Sequence, residues 1–273
     1  MSDSNSSDKN QRPIPAAWTK NPFEAPTAHV EDPKTHVDES LASEPNRCEA
    51  GRGSAWWGEG WGLFREATGT WIGIAVVLVL INIVLGLIPV IGDFATTFLM
   101  PVFGAGLMLG CRSLDSGEEL TLGHLFAGFQ KNFGQLILVS VFYLVGFILV
   151  FLVGFALGFG GGFAGAMSGG ANGVAAGVGL AVLVVLALSI PLAMSIWFAP
   201  ALVALNDVPA FEAMKLSFRG CLRNMLPFLI YGILFILLAI VATIPLALGW
   251  LALLPTMFCS TYASYRDIFT HGN

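Results

Sequence analysis

Charge is scarce in this chain. Charged residues make up 11% of its 273 positions, thirteen Lys or Arg against eighteen Asp or Glu. A soluble globular surface needs about a quarter of the residues charged. Residues 1–53 hold six of the basic and nine of the acidic residues, so positions 54–273 are poorer still. Hydrophobic residues reach 55% and mean hydropathy is +0.75, which makes lipid the main solvent of the body. A net charge of −5 excludes the basic field that nucleic acid requires. The four cysteines (Cys48, Cys111, Cys221 and Cys259) lack CxxC spacing, against disulfides and zinc alike. The nucleophile elbow, the phosphate-binding loop, the dinucleotide fingerprint and HExxH are all missing. No catalytic, cofactor-binding or metal-ligating residue is therefore assigned, and the expectation is a protein that is not an enzyme.

Residues 1–53 are polar, contain six prolines and show no periodic apolar face. Such a stretch cannot offset its chain entropy by burial and is expected to be a disordered tail. It lacks the apolar core of a signal peptide. His29 and His36 in this tail are read as solvated rather than as metal ligands.

Six apolar segments follow within 54–269. They are Trp71–Ile91, Phe94–Cys111, roughly 135–157 and 178–199, Met225–Ala247 and Trp250–Tyr265. About 20 helical residues cross a hydrocarbon core, and the ten-residue alternation of barrel strands is missing. The turns at Gly92-Asp93 and Leu248-Gly249 and the Gly-rich segment near 158–177 hold no Lys or Arg. Every basic residue lies in the opposite set of segments, which predicts cytoplasmic N- and C-termini in a bacterial inner membrane. Trp71, Trp197 and Trp250 sit where interfacial anchors are expected.

Three stretches on the basic side have amphipathic spacing: Ser54–Thr68, Thr121–Phe133 and Phe211–Met225. In the last, Phe211, Met214 and Phe218 oppose Glu212, Lys215, Arg219 and Arg223. Each is expected to lie in the inner interface and to precede a pair of spans. The expectation is an all-α membrane protein of six transmembrane helices, arranged as three hairpins, each preceded by a cytoplasmic interfacial amphipathic helix. Two matches support the repeat: Phe126-x-Gly128-x3-Asn132 against Phe218-x-Gly220-x3-Asn224, and Pro101/Arg112 against Pro255/Arg266.

Few side chains inside the spans can do chemistry, because none is titratable in the way a proton relay needs. Asn82 is either a substrate contact or an interhelical hydrogen bond. Thr256, Ser260 and Ser264 form an i, i+4 stripe that either lines a polar crevice or bonds back to its own helix. These four are the candidate intramembrane polar contacts. Gly161, Gly165, Gly169, Gly173 and Gly177 recur every fourth residue, as a close-packing ridge or as a flexible outer loop.

The strings GWGLFREATGTWI, LTLGHLFAGFQ, FAPALVALNDVPAFEAMKLSFRGCLRNMLPFLIYG and LPTMFCSTYASYRDIF resemble a family of uncharacterised bacterial six-span integral inner-membrane proteins. The resemblance covers about residues 55–269. It implies an inner-membrane protein and brings no catalytic residues. The partners expected are the lipid bilayer and a membrane or cytoplasmic protein bound through the interfacial helices, with no nucleic acid. An accessory or scaffold role leads, with a permease or lipid-handling carrier as the alternative.

Overall fold

In a computed structural model of the protein, the structure describes residues 41–270. The readings for residues 1–40, including His29 and His36, lie outside the described residues. Among the described residues the chain forms eight α-helices and one 3₁₀ helix. The α-helices are α1 (Arg52–Glu66), α2 (Thr68–Gly86), α3 (Ile91–Asp115), α4 (Phe133–Trp197), α5 (Ala199–Asn206), α6 (Ala210–Arg223), α7 (Met225–Thr243) and α8 (Trp250–Phe269), with the 3₁₀ helix Leu122–Phe129 between α3 and α4.

Five helical stretches are long and apolar enough to cross a membrane: Thr68–Gly86, Ile91–Asp115, Phe133–Met167, Gly169–Asn206 and Met225–Thr243. In hydrocarbon a helix alone satisfies every backbone group within one segment, so these predominantly apolar runs have no competing conformation. Six such stretches were expected, and α8 is the difference. Its 20 residues include Thr256, Ser260, Thr261 and Ser264, all buried, and its last turn carries Arg266-Asp267. A helix enclosed by protein need not be apolar on every side.

Burial changes at prolines. In α3 only Gly92 is buried before Pro101, whereas Val102, Phe103, Ala105, Leu107, Cys111 and Leu114 are buried after it. In α8 burial begins at Leu253 and Pro255 and runs to Phe269. Near Pro200, Phe198 and almost all of α5 are buried. These three segments, with Trp56, Trp57 and Phe64 of α1, supply most of the hydrophobic core, to which α2, α4, α6 and α7 add Trp71, Leu136, Ala213 and Tyr231 among others. A proline inside a helix removes one ladder hydrogen bond, and here prolines stand where burial within protein begins. The core thus sits at the charged end of the bundle. At the other end the turns expose Leu87 and Leu246.

The Gly-rich segment is helical. The long helix α4 breaks at Gly170, whose φ of 59° and ψ of −142° are non-helical, a conformation open mainly to glycine. Its two arms return along each other, and a side-chain carbon at Gly161 would lie 3.1 Å from the Gly177 backbone. At Gly165 it would overlap the Gly173 carbonyl. Four of the five ridge glycines therefore meet across the hairpin; Gly169 adjoins the bend and meets nothing within 4 Å.

The three amphipathic stretches are packing elements. In α1, Trp57 and Phe64 are buried while Trp61 is 47% exposed. A carbon added at Gly60 would lie 2.5 Å from the Ser260 nitrogen, so α1 and α8 touch backbone to backbone. The stretch 121–133 is mostly 3₁₀ helix and packs along α3, with Thr121 and His124 forming a reciprocal capping box. The buried face of α6 is Ala210, Ala213, Ser217, Gly220 and Cys221, a small-residue face offset from the larger apolar residues, and Phe211 is exposed. Trp71, expected as an interfacial anchor, is fully buried.

Candidate functional site

The four polar residues singled out from the sequence do not converge. Thr256 Oγ1 donates to the Ala252 carbonyl at 2.7 Å, and Ser264 Oγ to the Thr261 carbonyl at 2.8 Å. Ser260 Oγ donates to the Met257 carbonyl and lies 2.8 Å from the Tyr231 hydroxyl of α7. The stripe is buried inside protein, with its hydroxyls turned back onto its own helix. Asn82 is exposed on α2 and donates to the Leu78 carbonyl at 2.9 Å, a bond within its own helix rather than between helices.

The polar chemistry gathers instead at the charged end, where α1, α3 and α8 meet. Arg52 reaches Asp267 at 2.5 Å and Glu59 at 2.7 Å. Arg266 holds both oxygens of Asp115 at 2.8 Å, and Tyr262 donates to the same carboxylate at 3.2 Å. The Trp56 indole N–H donates to Asp267 at 2.7 Å. Glu59 Oε2 accepts no hydrogen bond yet lies 3.5 Å from the Arg266 guanidinium, an ion-pair contact without hydrogen-bond geometry. Three carboxylates and two guanidinium groups thus tie three helices together. Around Arg52, burial disfavours the charged form, but Asp267 and Glu59 outweigh it and raise its already high pKa.

Two asparagines organise the rest of this face. Asn132 donates to the Val203 carbonyl at 3.1 Å and to Asp207 at 2.5 Å, holding the start of α4 against the end of α5. Asn224, 1% exposed, accepts the Cys48 N–H at 2.7 Å and donates to the Asn46 carbonyl at 2.8 Å. Residues 41–50 are thereby docked. Ala42 and Asn46 donate to the carbonyls of Phe269 and Ile268, groups that the end of α8 leaves unpaired. Residues 41–50 belong to the segment 1–53 assigned to the tail from sequence. Burial, with the nearby Asp267 charge and against that of Arg52, pushes the Cys48 thiol up to about 11.

Ser217 completes the face. Its hydroxyl donates to the Met194 carbonyl at 2.6 Å and accepts the Phe198 N–H at 2.9 Å. It bridges the turn at which α4 gives way to α5.

A protein of Burkholderia thailandensis described as a probable inner membrane protein is 31% identical over 244 residues, which is 80% of this chain and 90% of that protein. The chain belongs to this inner-membrane protein family. Its apolar helices make it a polytopic membrane protein, as the resemblance implied. No family model matches the chain, and no solved structure does.

Sequence reasoning missed Arg52, Glu59, Asp115 and Asp267 as one cluster, and Asn224 as a clamp. The signal available was scarcity: where so few charges exist, those adjoining apolar segments are candidates to pair. Arg52 and Glu59 are seven residues apart on α1, but the pairs that join different helices, Arg266 with Asp115 and Arg52 with Asp267, are 151 and 215 residues apart, beyond any local spacing rule.

Proposed function

We propose that this protein is an accessory or scaffold protein of the bacterial inner membrane, without catalytic chemistry, which presents its charged, tightly packed end to the cytoplasm. The observation that carries the reading is the contrast between the two ends. At one end five ionised groups, two asparagine clamps and a docked segment hold a rigid face. At the other, turns without Lys or Arg expose Leu87 and Leu246. The positive-inside rule orients the former inward, with both termini.

Six crossings in three hairpins fit the contacts. At its start Trp250 donates to Thr243 at the far end of α7, while at its end Asp267 meets Arg52 and Trp56 of α1. Thus α8 covers the same span as α7 and returns to the charged end. The leading helices also fit a closed threefold plan. Each packs on the returning helix of the preceding unit: α1 on α8 and the 3₁₀ helix on α3, and α6 on α4, where Ser217 and Cys221 meet Met194 of the returning arm.

A carrier would need a polar path, whereas the hydroxyls of α8 are spent on their own helix. The test is site-specific photocrosslinking in cells from Leu222, 50% exposed on α6, and from Val153, 41% exposed in the first arm of α4. A protein adduct of one defined mass from Leu222 alone is expected. Lipid adducts from both positions and no protein adduct would contradict the scaffold reading.

A further inference from the structure

A cleft of about 450 Å³ runs between α2, α3 and α8, within the range of small-molecule and cofactor pockets. Its wall includes Ile74, Leu78, Met100, Leu107, Leu254 and Phe258 and carries no charge. It lies along two apolar, membrane-length helices, α2 and α3, so the medium at its mouth is hydrocarbon. Two lining side chains can hydrogen-bond: Trp71 near the charged end and Asn82 toward the other. Trp71, Ala75, Leu78 and Asn82 follow i, i+4, i+7, i+11 spacing and share one face of α2. Eleven residues of helix rise roughly 16 Å, close to the ~15 Å depth of one leaflet.

Trp71 supplies the second observation. Its side chain is fully buried, yet its indole N–H has no acceptor among the described residues. A buried indole N–H is ordinarily paired, and among the described residues Trp71 is the tryptophan whose buried nitrogen is not. It stands three residues after Thr68, where α2 begins, at the depth where a tryptophan meets the polar boundary of a bilayer. The polar group that a membrane offers there without a charge is the ester carbonyl of a glycerolipid, with an acyl chain extending from it toward the midplane.

We propose that this cleft is a binding site for one glycerolipid of the leaflet on the charged side. One acyl chain lies along Ala75, Leu78 and Val79, and the ester carbonyl accepts the Trp71 N–H. The length of the cleft, its uncharged wall and the single unpaired donor at the boundary end select this ligand over a free fatty acid. A carboxylate there would find no cationic partner in the cleft. The site does not depend on the scaffold reading or on the orientation of the chain.

The experiment uses the full chain in nanodiscs made with ester-linked phospholipid or with its ether-linked counterpart of the same chains and headgroup, followed by native mass spectrometry. The expected result is one retained lipid per chain, with ester retained over ether by about fivefold, as a single hydrogen bond of modest net strength gives. Trp71→Phe keeps the ring and loses the N–H; it should retain lipid with no ester preference. Val79→Trp, placed at a position 39% exposed, should fill the cleft and lose the lipid while helicity is unchanged. Equal retention by wild type and Val79→Trp would overturn the site, as would an adduct with the mass of a free fatty acid. Equal ester and ether retention by wild type would overturn the Trp71 contact whether or not Trp71→Phe folds.

Discussion

Asn224 shows how one buried amide can hold a terminus. It joins the docked segment to α7 through the Cys48 N–H and the Asn46 carbonyl, and also donates to Gly220 at 3.0 Å. Asn224→Ala leaves those backbone groups without their partner, at about 1–3 kcal/mol. The expected outcome is a lower unfolding temperature in detergent and faster proteolysis at residues 41–50, with helix content retained. Cys48 carries a second expectation. Alkylation requires the thiolate, and a thiol held near 11 is almost wholly protonated at neutral pH. In the folded protein its alkylation should be negligible at neutral pH and accelerate as pH rises toward that value. In Asn224→Ala, where the segment is released, it should be fast several pH units lower, nearer the ordinary thiol range. The repeated Phe-x-Gly-x3-Asn pattern marked Asn132 and Asn224 in the sequence. Their partners were not legible, because Asn46 and Cys48 are 178 and 176 residues from Asn224.

At the scale of elements, apolar helices were legible wherever lipid is the solvent, because composition alone decides them there. The Gly-rich stretch was not, since spacing cannot separate a helical ridge from a loop with many glycines. Its hairpin follows from contact between glycine backbones, and paired substitutions test it. A carbon at Gly165 would overlap the Gly173 carbonyl, whereas at Gly160 it meets nothing within 4 Å. Gly160→Ala should stabilise the arm by up to about 1 kcal/mol through helix propensity. Gly165→Ala gains the same propensity but should lower stability by separating the arms. A cysteine pair placed across them should crosslink in the Gly160 variant and fail in the Gly165 one. The amphipathic stretches were legible as helical turns with one apolar face, but not in their role: α6 buries alanine, serine and glycine against other helices, and the periodicity of its large residues points away from that face. The proline spacing was visible as a repeat, while the change from lipid-facing to protein-facing residues at each proline required the structure.

At the scale of the whole molecule, a charged, internally bonded end opposes one that carries no Lys or Arg. That asymmetry was legible because thirteen basic residues alternate cleanly with apolar segments. The segment read from sequence as a sixth span, α8, is enclosed by protein and carries hydroxyls that lower its apolarity. Asp93 and Glu118 are exposed at opposite ends of the hairpin formed by α2 and α3 and the loop after it, and neither is part of the ionic cluster. Cysteine placed at either, in a background lacking the four native thiols, reports orientation directly. Intact cells, with the outer membrane permeabilised, are treated with a membrane-impermeant maleimide. Asp93→Cys should label at once, and Glu118→Cys should label only after the inner membrane is opened. Labelling of Glu118→Cys alone in intact cells would invert the protein, turn its packed face to the periplasm and contradict the scaffold reading.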